Sequence, residues 1–468
     1  MKKKEKTLIV FLASTLLLSV VVPTCQGADN PEWPFGLLMR GEETDQSYYL
    51  ENNSIFNLDP ETKEPFSGYL TLGMEAERSY GFGSLYLNPT LSYSYDAQSQ
   101  DPELKLNEGY LNIYLDKMDI RIGKQRVTWG KADGLVITNV VNPRDLTRYP
   151  IIDFYEDSFK SIYSMKVDYY QGMNTWEGIW IPEFEPVSIN DKMFISRIRK
   201  MVNSGILPKK LAKLLPKDLS KIKFEKEKID SGLAGDELGF DLEKTEFAGR
   251  YSSMGAEFDY EIVTGYLWDD YPTLHINTNL SPNKYKQNSL SQESKPPAPT
   301  FKLKHHRLSL IGGSASTARG DFVFRGEALL THGKMFNSPN HDEFVVAKDQ
   351  FEWMFGAEYS TDYLVDSLNF QVDQEVILDY GESIITDEFT TKMTFLVQGQ
   401  YLRNRLTAKA NLIYNLNQES LLSKTELTYD QSGSTNFVVG LDRVLEEGEG
   451  LVSALYRDAV YIQAEYFF

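Results

Sequence analysis

Residues 458–468 read DAVYIQAEYFF, and taking every second position sorts them cleanly. Val460, Ile462, Ala464, Tyr466 and Phe468 fall on one side; Tyr461, Gln463, Glu465 and Phe467 fall on the other. This is the period of a β-strand, with one face apolar to its last residue and the other mostly polar. Such a face belongs either in the core of a sandwich or against lipid around a barrel. The tail alone does not separate the two.

The other end of the chain adds more. MKKKEKTLIVFLASTLLLSVVVPTCQGADN begins with a basic stretch (Lys2, Lys3, Lys4, Lys6), continues with an apolar run from Leu8 to Val22, and then turns to small residues. Cys25 and Gly27 stand at −3 and −1 of a cut before Ala28, so residues 1–27 read as a cleaved signal peptide. An uncleaved anchor would want about 20 apolar residues, and this run is shorter and meets Pro23. A lipidated Cys25 would want small residues before it, which VPT supplies poorly. The formal charge is −19, and becomes −22 once the leader's four lysines and one glutamate are gone. Cys25 is the single cysteine, so the exported chain has no disulfide framework. An acidic balance of this size argues against nucleic acid as a partner and suits a surface that attracts cations.

No stretch after residue 22 approaches 18 uninterrupted apolar residues. Alternation is common instead. In EFDYEIVTGYLW, Phe258, Tyr260, Ile262, Thr264, Tyr266 and Trp268 share one face, with Glu257, Asp259 and Glu261 on the other. FEWMFGAEY (351–359) and SLNFQVDQEV (367–376) repeat the arrangement. Aromatics opposed to carboxylates along strands of this length suit lipid outside and water inside. Eighteen strands are predicted (sixteen is the alternative), beginning with 33–42 and 66–77 and including 301–312 as one strand. Connections such as RSYG, DKM and DQSGS are short, while 43–65, 95–106, 126–159, 182–243, 269–300, 331–349 and 443–458 are long; NQES at 417–420 is a short exception. The expectation for 28–468 is therefore an all-β transmembrane antiparallel β-barrel with both termini periplasmic.

At 119–146 the chain reads DIRIGKQRVTWGKADGLVITNVVNPRDL. Arg121–Gln125, Trp129–Gly130 and Asn142–Leu146, with RGEALLTHGKMF (325–336) and QFEWMFGAEY (350–359), resemble a large family of proteobacterial outer-membrane barrels. That family is porin-like, mostly of unassigned function, and similar to alginate-export and specific-porin barrels. Residues 183–240 stand apart from the resemblance. The tail also resembles the C-terminal signal read by the barrel-assembly machinery, which the resemblance makes a partner during insertion.

Read physically, strand 118–125 turns Ile120 and Ile122 to lipid and Arg121, Gly123 and Gln125 to the lumen. The apolar LVITNVV (135–141) in the next loop needs a surface to pack on, and the inner wall is available. Loop 126–159 is expected to fold inward and constrict the pore, the alternative being an ordinary solvated loop. Its charges are Lys131, Asp133, Arg144, Asp145, Arg148, Asp153, Glu156 and Asp157; opposed charges across a narrow pore set a field and a size limit. Further lumen-lining candidates are Arg250, Glu257, Asp259, Arg325 and Glu327, together with Lys166, Lys409, Glu352 and Asp373. Within the 183–240 insertion, residues 192–228 carry twelve Lys or Arg against three acids. Their apolar spacing predicts one or two amphipathic helices broken near Pro208 and Pro216, a small helical loop insertion. Arg197, Arg199, Lys200, Lys209, Lys210 and Lys213 would make it a lid or plug, or bind it to lipopolysaccharide.

His305 and Ser309 share a face on the expected strand 301–312, but no third member or oxyanion donor accompanies them. No HExxH, CxxC or EF-hand spacing occurs, so neither catalysis, a metal nor a cofactor is expected. The acidic run LEEGEG (445–450) reads as a solvated loop. The function expected is a Gram-negative outer-membrane channel for small solutes, cation-preferring or substrate-selective. Alternatives are a dedicated export or uptake conduit for hydrophobic molecules or polysaccharide, partnered with an inner-membrane transporter, and a structural or adhesive barrel without an open pore. Association into homo-oligomers stays open.

Overall fold

In the computed structural model the described residues are 44–58, 66–95, 102–132, 134–147, 158–188, 224–226, 229, 243–277, 300–338, 344–381, 383–446 and 458–468. The chain forms β1 Thr44–Asn57, β2 Phe66–Tyr80, β3 Gly83–Ser94, β4 Glu103–Tyr114, β5 Met118–Gln125, β6 Ile162–Gln171 and β7 Asn174–Ile181. Next come β8 Phe224–Lys226, β9 Glu246–Met254, β10 Asp259–Trp268, β11 Thr273–Asn277, β12 Thr300–Lys304, β13 Arg307–Arg319 and β14 Phe322–Asn337. The remainder are β15 Val345–Ser360, β16 Ser367–Ile377, β17 Phe389–Tyr401, β18 Leu406–Asn415, β19 Ser420–Asp430, β20 Thr435–Glu446 and β21 Ala459–Phe467.

Eighteen of these form one antiparallel sheet in which each strand pairs with its neighbour. β1 pairs with both β2 and β21, with Tyr49 opposite Phe467 and Asn57 opposite Ala459, so the sheet closes and has no edge. Outward positions along the wall are exposed aromatics and aliphatics, among them Phe355, Phe370, Phe395, Leu412, Leu427 and Val439. Inward neighbours such as Gln371, Asp373 and Glu327 are buried. That division is the alternation a lipid-embedded barrel imposes. The chain's two described ends, Thr44 and Phe468, lie at the end of the barrel that carries the short turns.

The remaining three strands make a small separate sheet in which β12 pairs antiparallel with β11 and parallel with β8. It is built from the β7–β9 and β10–β13 connections at the long-loop end. Asn337 Nδ2 donates to Leu274 O (2.7 Å) and ties it to the rim of β14.

Three expectations change. The first described strand is 44–57, where a loop (43–65) was expected; the expected strand 33–42 lies outside the described residues. The polar run Asn52–Ser54 hides the alternation of β1, and Tyr95 covers it, accepting a hydrogen bond from Asn52 (2.7 Å). The expected strand 301–312 is two elements interrupted at His305–His306, of which only β13 joins the wall; β13 continues past 312, with Ser314, Ala315 and Ser316 paired on both sides and Thr317–Arg319 paired to β14. In the insertion 183–240, residues 224–226 are strand where the expectation was helical, because a β-partner, β12, is available there. The expected helices of 192–223, with Arg197, Arg199, Lys200, Lys209, Lys210 and Lys213, lie outside the described residues.

Candidate functional site: a loop held on the inner wall

After β5 the chain leaves the wall, and residues 127–132 and 134–142 lie back on its inner face. Val127, Trp129, Ile137 and Val141 are buried in one cluster with Ile162 (β6), Ile179 and Ile181 (β7), Ala248 (β9), Val263 and Leu267 (β10), Leu310 (β13), Leu329 (β14) and Met354 (β15). The register explains the patch. Ile179 faces Ala248, Val263 faces Gly312 and Glu327 faces Met354, so apolar inward positions gather along one arc of the barrel. An apolar patch facing water would be costly; the loop removes it from solvent.

Three glutamates stand within this patch, one each on β7, β10 and β14, and all three accept from the loop. The Trp129 indole N–H donates to Glu177. Gly130 N donates to Glu261 Oε1 at 2.6 Å. Glu327, 4% exposed, accepts from Lys131 N (2.7 Å) and Ala132 N (3.0 Å) on Oε1. Its Oε2 accepts from Ile137 N (2.8 Å), Thr138 N (2.9 Å) and Thr138 Oγ1 (3.1 Å). Buried carboxylates survive only when paired or well hydrogen-bonded, and here the loop's own backbone supplies donors. Arg250 lies between two of them, 2.9 Å from Glu177 and 3.3 Å from Glu261, with its guanidinium 5.8 Å from the Trp129 ring. Lys166 adds contacts to Asp168 (2.8 Å) and Glu177 (3.4 Å). Further along, Gln371 Nε2 donates to Leu135 O at 2.7 Å, and Asn142 accepts from Val127 N at 2.8 Å, closing the loop's base.

The expected site residues divide accordingly. Lys131 is in the docked segment. Arg144 stacks on Phe159 (4.3 Å) and donates to Ser158 (3.0 Å), while Asp145 lies 3.9 Å from Lys105. Arg121 stacks on Tyr110 (4.3 Å) and donates to Asn112 (2.7 Å); Arg325 pairs with Glu358 (2.9 Å). Arg250 and Glu327 sit beneath the loop. Asp259 is at the foot of β10, accepting from Gly255 N (3.3 Å). Glu257 is a correction: it belongs to the β9–β10 turn, exposed and 3.2 Å from Arg319, because β10 starts two residues later than the alternation suggested. Asp133, Arg148, Asp153, Glu156 and Asp157 lie outside the described residues. Glu177 and Trp129 were not among the expected site residues, nor was Glu261, although its alternation was read; an inward glutamate in a strand looks like any other lumen charge.

A second network lies on the same face. Lys392 contacts Glu375 and, at 3.4 Å, Asp373, while Gln350 donates to Glu375 at 3.1 Å and Glu352 faces Glu375 across the strands. Lys392→Met should leave Asp373 without its cation and lower the unfolding free energy of the refolded barrel by about 1–3 kcal/mol for a partly buried pair, read as a lower denaturant midpoint; an unchanged unfolding curve would show that the network is neutralised elsewhere. At the long-loop rim, burial together with the Glu246 and Asp269 carboxylates holds the Asp270 carboxyl well above the usual range, opposed by Lys160 and Lys334. His305 bonds Asp269 O (2.7 Å) and His306 meets His275 (2.8 Å), so the expected His305–Ser309 strand pair does not form. Among the described residues no group of three or more His, Cys, Asp or Glu is arranged to hold a metal.

No model of a known protein family matches the chain, and no curated protein matches it. Solved structures do. OccK3 (OpdO) of Pseudomonas aeruginosa superposes with TM-score 0.50 at 9% identity, over 92% of this chain and 97% of its own. OccAB3 of Acinetobacter baumannii gives TM-score 0.50 at 7% identity, over 91% and 99%. At such identities the likeness is one of fold: a closed 18-stranded antiparallel barrel of the outer-membrane porin type.

Proposed function

We propose that this chain is an outer-membrane channel through which small solutes diffuse, narrowed by the segment 127–147 on one side of its lumen. The observation that carries the reading is the buried seat of Trp129, Ile137 and Val141 on the inner wall, which puts a loop inside a closed barrel. A loop so placed narrows the passage and brings its charges toward the opposite wall. On the strands away from the loop the register sets Glu465, Glu51, Glu75, Glu77 and Glu108 on the lumen face, and with the acidic net charge this favours cations. The short-turn end, with the termini, faces the periplasm in this reading.

The test is single-channel recording on the refolded full chain in planar bilayers, with a potassium chloride gradient across the membrane. Stepwise conductance with a reversal potential of the sign for potassium is expected. Insertion without current would overturn the channel, and a chloride-selective reversal would overturn the cation preference.

A further inference from the structure

We infer that Glu327 is the latch of the constriction: five of the hydrogen bonds that tie Lys131, Ala132, Ile137 and Thr138 to the wall end on this carboxylate, with Gln371 on Leu135 O as a lesser tie, and its loss frees the segment into the lumen. The inference rests on the channel reading only for its electrical readout.

Five donors from a single loop converge on the two oxygens of Glu327. Lys131 and Ala132 supply one side and Ile137 and Thr138 the other, so the carboxylate closes the neck of a short turn and occupies a concave cradle of backbone N–H groups. A carboxylate is suited to this position because it is acceptor-only and has room for about four donors. The backbone path is shaped around it. Gly130 has φ +100°, and a Cβ there would meet Val136 at 2.3 Å, Glu327 Oε1 at 2.8 Å and Thr138 Oγ1 at 2.9 Å. The other two glutamates differ in kind. Glu177 and Glu261 share Arg250 and stay neutralised if the loop leaves, whereas Glu327 is met by the loop's N–H groups. The negative charge of Glu327 and the donors of 131–138 thus depend on each other.

Glu327→Gln keeps the shape and loses the fit: its amide points N–H groups at backbone N–H groups and leaves donors unpaired in an apolar surround. Glu327→Asp keeps the charge and withdraws it by one methylene. Cys25 is the only cysteine of the sequence, so in a Cys25→Ser background Gly134→Cys gives a single reporter, at a position where a Cβ meets the flexible end of Gln371. In the refolded full chain this thiol should react slowly with a maleimide-polyethylene glycol in the native background, severalfold faster with Glu327→Asp, and fastest with Glu327→Gln. Single-channel current should fluctuate more in the same order, as the freed segment moves in the lumen. A Gly134→Cys/Gln371→Cys disulfide, which consumes the reporter thiol and so is read by current alone, should return the Glu327→Gln channel to native current, and reduction should undo the return. Native labelling and native current in Glu327→Gln would overturn the latch, as would release that the disulfide fails to reverse. Faster labelling with no current in any variant would support the latch and overturn the channel reading instead. A Glu327→Gln chain that fails to refold is replaced in the test by Glu327→Asp, read in the same two ways.

Discussion

Arg250→Met is expected to destabilise the refolded barrel by about 3–5 kcal/mol, the scale for removing one partner of a buried ionic cluster. Glu177 and Glu261 have side chains only 2% and 1% exposed, and both lose their guanidinium at once. Lys166 lies 3.4 Å from Glu177 and offsets part of the loss there, but it does not reach Glu261 among the described residues. The damage should extend to the loop, since Glu177 receives the Trp129 indole and Glu261 receives Gly130 N. The measurement is the denaturant midpoint in lipid vesicles, followed by band shift on unheated gels. Adding Glu177→Gln and Glu261→Gln to Arg250→Met should recover most of the loss, because an uncharged cluster no longer demands a cation. An Arg250→Met midpoint equal to that of the native chain would show that water, and not the guanidinium, neutralises these carboxylates.

Tyr461→Ala should be comparably costly, about 3–5 kcal/mol for truncating a buried aromatic. Tyr461 is fully buried on the seam strand β21 and clusters with Ile55, Val438 and Ala459. Its ring lies flat over Gly440 on the neighbouring strand: a Cβ at that glycine would meet ring atoms at 1.9–2.3 Å. Its hydroxyl donates to Glu426 at 2.9 Å. The side chain therefore covers the gap a glycine leaves in a sheet and also fixes the register of the strand that closes the barrel. The same arrangement recurs on the other side of the seam, where Tyr49 lies over Gly73. Tyr461→Ala should lower the denaturant midpoint and also slow closure, visible as a refolding lag on gels; Gly440→Ala should give a milder version by pushing the ring off the wall. If Tyr461→Ala refolds at the native rate with the native midpoint, the ring is ornamental and the backbone pairing alone closes the barrel.

The seat of the loop follows from the same competition between burial and charge. Three glutamates in an apolar arc would be unfavourable alone, and an apolar loop would be unfavourable in water alone. Together they remove about a dozen apolar side chains from solvent while the loop's N–H groups and Arg250 satisfy the carboxylates. Arg250 and Glu327 thus hold the loop, while Arg144 and Asp145, in the stretch that follows it, are themselves partnered by Phe159, Ser158 and Lys105.

How much of this was legible in the sequence depends on how far each feature reaches along the chain. The period of two and the alternation of short and long connections are local, and they carried the barrel, its strand number and its closure. β1 escaped because Asn52 and Ser54 put polar atoms on its outer face, and the ring that covers them, Tyr95, is more than forty residues away. The expected strand at 301–312 failed for a similar reason. Whether His305–His306 continues a strand or breaks it depends on Asp269, just past β10, and His275 on β11, some thirty residues earlier.

For the loop, LVITNVV announced an apolar segment in need of a surface, and that much is composition. Which surface was settled by tertiary structure. Glu177, Glu261 and Glu327 are separated by 84 and 66 positions, and each looks like an ordinary lumen charge in its own strand. Only strand order and register set them beside one another on the inner wall, and only there do their carboxylates find Trp129, Gly130 and the backbone of 131–138. Side-chain period is a property of one strand; the convergence of three strands on one turn is a property of the closed sheet.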